Sequence, residues 1–126
     1  MADTNVIPGF KKLSKQRIFN MAVAHIGRTR QQSKVEGSCV YGASGCAASP
    51  LLTEQGREGG DRVGDWDCLV ETGFVPSNNA FFIKQLQNAH DYVRVGSEFM
   101  PSWINEMKIL ASEYGLSTST LDKVKA

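Results

Sequence analysis

Ile18, Phe19, Ala22, Val23 and Ile26 recur at steps of three and four, and no other spacing in the chain limits its fold as much. At about 3.6 residues per turn these side chains share one helical face. Ser14 supplies an N-cap oxygen, so the spacing predicts a helix from Lys15 to about Arg28. Gly27 and the polar run Arg28–Lys34 end it. A helix with a single apolar stripe gains most of its stability by packing that stripe against other elements. The rest of the chain must therefore supply partners.

Two more stripes do so. Pro76-Ser77 opens a helix from Asn78 to about Arg94, with Phe82, Leu86, Ala89 and Val93 on its apolar face beside Ile83 and Tyr92. Gly96 breaks that pattern, and Pro101-Ser102 starts a helix whose face holds Trp103, Met107, Leu110 and Tyr114. Gly115-Leu116 has the form of a helix end, a glycine followed by an apolar residue. A short helix capped by Asp65 and stopped by Gly73 carries Trp66, Leu69 and Val70.

Between the first two helices, Ser38–Tyr41 and Cys46–Ser49 flank Gly42-Ala43-Ser44-Gly45, which predicts a tight β-hairpin near 38–49. Two short strands are marginal alone, so the hairpin must lean on helices. The expected fold is mainly α: a small helical bundle of three main helices plus one short, with an inserted short β-hairpin. Residues 1–12 read as a flexible N-terminal arm with Phe10 as its anchor. Residues 13–116 read as a single helical domain and 117–126 as a loose C-terminal tail. The glycine-rich, charged run 53–64 reads as a solvated, mobile loop.

Fourteen Lys and Arg against thirteen Asp and Glu leave a net charge of +1. That balance argues against a basic nucleic-acid coat and against an acidic mimic of DNA. Lys11, Lys12, Lys15, Arg17, Arg28 and Arg30 make the N-terminal third basic, but without interleaved aromatic residues a nucleic-acid partner is not expected. No apolar run approaches the ~20 residues of a membrane span, and the first residues lack a signal-peptide core, so a cytoplasmic location is expected.

Two constellations could carry chemistry. His25 and His90 sit on two helices that could meet near Cys39 and Cys46, and such a set could hold zinc or activate a thiolate for attack. No spacing here matches a known ligand or triad signature, so the favoured reading is plainer. In it the histidines are boundary residues, each satisfied by a backbone carbonyl, and the cysteines fill core space. Three cysteines, Cys39, Cys46 and Cys68, with no secretion signal favour reduced thiols, although Cys39 and Cys46 could lie opposite one another across a hairpin. Cys68 reads as a core residue of the short helix.

The second constellation is the glycine run with Arg57 and Arg62, residue types that suit an anion, though the Lys-Ser/Thr ending of a P-loop is missing. Connector is the favoured reading, a lid or partner-binding loop the other. Tyr41, Gln87 and Tyr92 join Arg57 and Arg62 as candidate binding residues, because an apolar body with a polar tip suits recognition. No cofactor is expected, and a homo-oligomer is compatible with the pattern.

Gln16, Phe19 and His25, then Ser33, Cys39-Val40-Tyr41 and Cys46-Ala47, and finally Leu86-Gln87-Asn88-Ala89-His90-Asp91 form a further pattern. In these residues the chain resembles a set of small proteins encoded by tailed bacteriophages and prophages. It departs from them at Gly42, where an arginine is more usual, and at Ser49, where a glycine is. The resemblance implies a phage-encoded accessory protein of the host cytoplasm. It implies no particular activity, though small phage proteins of this kind often act on host machinery, including CRISPR or other defence systems. The size, the run 53–64 and the lack of a complete catalytic constellation favour a non-enzymatic protein that binds a host protein or small ligand.

Overall fold

The computed structural model describes residues 2–30, 34–35, 38–39, 41, 45–91 and 98–125. It is mainly helical. Three long helices dominate: α2 (Lys15–Thr29), α5 (Ala80–Asp91) and α6 (Phe99–Tyr114). Shorter ones are α1 (Ala2–Asn5), α3 (Glu54–Gly60) and α4 (Trp66–Glu71). Single 3-10 turns cover Phe10–Lys12, Ser49–Leu51 and Leu121–Lys123. No helix among the described residues is long and apolar enough to cross a membrane.

The α2 stripe is realised in full: Ile18, Phe19, Ala22, Val23 and Ile26 are all buried. Ser14 caps the helix, its Oγ accepting the Arg17 backbone N–H at 3.1 Å. On α5, Phe82, Ile83 and Leu86 are buried as their spacing predicts, while Ala89 is only partly covered and Val93 lies outside the described residues. On α6, Trp103, Met107 and Leu110 face the core, and Gly115 closes the helix at φ 66° with Leu116 bonded back to Ala111. That helix starts at Phe99, two residues before the expected Pro101, whose missing N–H costs nothing in a first turn. The long helices pack with α5 between its neighbours: it contacts α4, α6 and α2. Phe82 meets the edge of Tyr114 at 4.8 Å across the α5–α6 seam.

Four expectations are corrected. The hairpin does not pair as predicted. Ser38–Cys39 (β2) pairs antiparallel with the preceding Lys34–Val35 (β1), Val35 lying opposite Ser38. The supposed second strand, Cys46–Ser49, runs through turns into the 3-10 turn at Ser49–Leu51. Its residues 46 to 49 are all buried, which an alternating strand could not achieve, and Pro50 favours a helical first turn.

The run 53–64 contains a helix. Thr53 caps α3 through Gly56 N–H at 3.1 Å, and Gly56 and Gly60 are buried. The glycines that suggest a loop are there because neighbours come too close for a side chain. A Cβ on Gly56 would overlap the Asn5 carbonyl, and one on Gly60 would sit 3.1 Å from the Tyr41 ring.

The N-terminal arm is packed. Val6 forms an antiparallel bridge with Leu52, Ile7 N–H donates to Leu51 O at 3.1 Å, and Thr53 N–H donates to Asn5 O at 3.0 Å. Phe10 anchors it as expected, 5.9 Å from the Trp66 ring. The tail is also tied down: Gln16 brackets Ser117 with two hydrogen bonds, and Leu121 is buried.

Candidate functional site

Tyr41 and Gln87, two of the candidate binding residues, meet inside the fold. The Gln87 side-chain amide donates to the Tyr41 hydroxyl at 2.8 Å, and the hydroxyl donates to the Gly64 carbonyl at 2.9 Å. The other end of Gln87 accepts the Trp66 backbone N–H at 2.8 Å, at the start of α4. Asp65 is that helix's N-cap residue, as expected, but its carboxylate makes no capping bond and holds Lys84 at 2.8 Å. The Tyr41 backbone is pinned as well, its N–H to Asp61 Oδ1 at 2.6 Å and its carbonyl by Ser49 Oγ at 2.9 Å. Arg57 reaches this cluster through the Ser49 carbonyl at 3.4 Å, whereas Arg62 is exposed. Tyr92 lies outside the described residues.

The surroundings set the chemistry of the phenol. Burial is the main cause that pushes Tyr41 well above its usual pKa of about 10. Asp65, Asp91 and Asp61 push it the same way, and the Gln87 bond works against them. The phenol is thus held neutral, a donor and acceptor that ties the α3–α4 junction to α5. Because the folded state holds its proton more tightly than the unfolded chain, its contribution to stability is intact below the unfolded value. It is lost as pH rises past about 10, with a slope of up to ~1.4 kcal/mol per pH unit. Urea titrations from neutral to strongly alkaline pH should show this fall in the wild type. In Tyr41→Phe the fall should flatten, at a neutral-pH cost of about 1–3 kcal/mol for the partners left behind. Parallel pH profiles for the two proteins would refute the assignment.

The histidines are not brought into a ligand set. His25, half-buried near the end of α2, bonds the Gly45 carbonyl through Nε2 at 3.0 Å, the backbone-carbonyl arrangement that the plain reading expects. Arg28 lies 3.4 Å from its other ring nitrogen. His90 differs from that reading. It is fully buried, its Nδ1 sits 2.7 Å from Asp91 Oδ1, and its ring meets Phe99 edge-on at 5.5 Å. A buried imidazole here has the adjacent carboxylate as a partner.

Cys46 is buried and disulfide-bonded, so its sulfur is neither a thiolate nucleophile nor a metal ligand in this state, and the expectation of three reduced thiols is corrected. The Cys39 side chain lies outside the described part of the structure. Cys68 is a free, partly buried thiol, against the expectation of a core position. Among the described residues no three His, Cys, Asp or Glu side chains come together as a metal would need.

Asp61 is a participant that sequence reasoning did not single out, and Ser49 and Asp91, named there only in the hairpin and the resemblance, take part through bonds it did not foresee. Ser49 sits beside Pro50, and Asp61 is the acid that ends the α3 glycine run, which are the only local hints of either role. No family model matches the chain, no curated protein matches it, and no solved structure matches it.

Proposed function

We propose that this chain is a non-enzymatic binding protein, a phage-type accessory factor that acts on host machinery such as a CRISPR or other defence complex by surface contact. The observation that carries the reading is Phe81. It is 74% exposed in the first turn of α5, while the next two residues, Phe82 and Ile83, are buried. An isolated apolar side chain at a surface is common. This one gains weight because the polar groups that chemistry would need are engaged internally: Tyr41 and Gln87 with one another, His90 with Asp91. A phenyl ring moved from water into a partner's pocket contributes about 1.5–3 kcal/mol, one to two decades in affinity.

The test compares wild type with Phe81→Glu as baits in a bacterial lysate, read by quantitative mass spectrometry. At least one host protein should be retained by wild type and depleted tenfold or more by the variant, with circular dichroism unchanged. Identical sets of captured proteins, or none in either case, would remove the proposal.

A further inference from the structure

We infer that the groove between α2 and the C-terminal 3-10 turn binds a small amphiphilic anion, a carboxylate carrying a short apolar chain. The groove is open to solvent along one side and offers about 380 Å³, within the range of small-molecule sites of roughly 300–1,000 Å³. Val23, Gly27 and Val124 give it an apolar floor, and Arg30, Lys123 and Lys125 stand around it. None of its lining residues among the described residues is acidic. Asp122, the acid of the turn, accepts from Thr118 and does not line the groove.

Two backbone features fit this role. Gly27 occupies the interior of α2, where glycine is a poor helix former, and a Cβ there would come 3.2 Å from the Val124 side chain. Its bareness lets the turn settle against the helix. Arg30 closes α2 in the left-handed region, at φ 54° and ψ 29°, a conformation that favours glycine. At this helix end a cation stands where the backbone alone would favour glycine.

Electrostatic magnitudes decide the sign of the ligand. The C-terminus of α2 contributes about −0.5 of an elementary charge, an obstacle to an anion. Three full cations outweigh it, and Arg30 sits in a stretch, Thr4 to Val35, that contains no acid. These cations are solvated, so charge alone gives weak, salt-sensitive binding. The apolar floor supplies the rest, which is why the ligand must combine both characters. The inference stands apart from the Phe81 surface, which lies on α5, and either can fail without the other.

The probe is octanoate, titrated into the full chain by calorimetry and by amide chemical-shift mapping. Saturable binding is expected, with shifts centred on Gly27, Thr120 and Val124. 1-Octanol, which lacks the charge, and inorganic phosphate, which lacks the chain, should each bind at least fivefold more weakly. Added salt should weaken octanoate binding. Arg30→Gly suits the left-handed backbone, so its melting temperature should hold or rise while its octanoate affinity drops at least fivefold. Lys123→Gln should also weaken the complex. Absence of saturation, equal affinity for octanol, shifts centred elsewhere, or undiminished binding by a folded Arg30→Gly protein would each overturn the assignment.

Discussion

Replacing Gly56 by alanine should destabilise the protein by about 3 kcal/mol or more, at or beyond the upper end of ordinary overpacking. Gly56 faces α1 across a contact made by backbone alone, and an added Cβ would overlap the Asn5 carbonyl oxygen. That oxygen cannot simply retreat. It accepts Thr53 N–H at 3.0 Å, and the Asn5 side chain is held from the other side by the Phe74 carbonyl at 2.9 Å. Relief would require α1 and α3 to separate, breaking the Thr53 and Gln55 bonds to residues 4 and 5 with them. Gly59→Ala is the control. Its Cβ would meet the outer atoms of the half-buried Phe74 ring at 2.7 Å, a side chain that can turn aside, so about 1 kcal/mol is expected. Denaturant unfolding of both variants gives the comparison. Equal losses would show that the two helices yield as easily as a side chain does.

Leu86→Ala and Phe82→Ala should each cost about 2–5 kcal/mol, the range for emptying a filled core position. Both residues are essentially unexposed on α5, the helix that touches α4, α6 and α2. A cavity there is walled on several sides and cannot collapse by moving one neighbour. Phe81→Ala, one position before Phe82, should stay within about 0.5 kcal/mol because its ring is already in water. The contrast reads the orientation of the helix directly: a loss below ~0.5 kcal/mol at Leu86 would mean that the other face is the buried one.

What could be read from the sequence was what repeats. The α2 stripe, the Ser14 cap and the Gly115 stop are local patterns, and each has its place in the fold. The run 53–64 defeats local reasoning, because glycine's poor helix propensity is overridden by contacts with Asn5, Phe74 and Tyr41 that no nearby residue announces. The hairpin failed for a related reason. Ser38–Cys39 finds its partner upstream, and the small residues from Cys46 onward are buried whole instead of on alternate faces. At the site, Tyr41 and Gln87 could each be picked out by type, yet they stand 46 positions apart and their bond depends on the tertiary fold. His90 and Asp91 are adjacent, but only burial turns that adjacency into a required pairing.

The seam joining residues 4–7 to 51–53 also orders events in time. Thr4 and Thr53 are separated by 49 positions, and closing a loop of that length costs on the order of 3 kcal/mol before any of its bonds is made. A chain emerging from the ribosome therefore carries Val6 and Ile7 without their seat until Leu51 and Leu52 have been synthesised, so this segment docks only after α2 has been made.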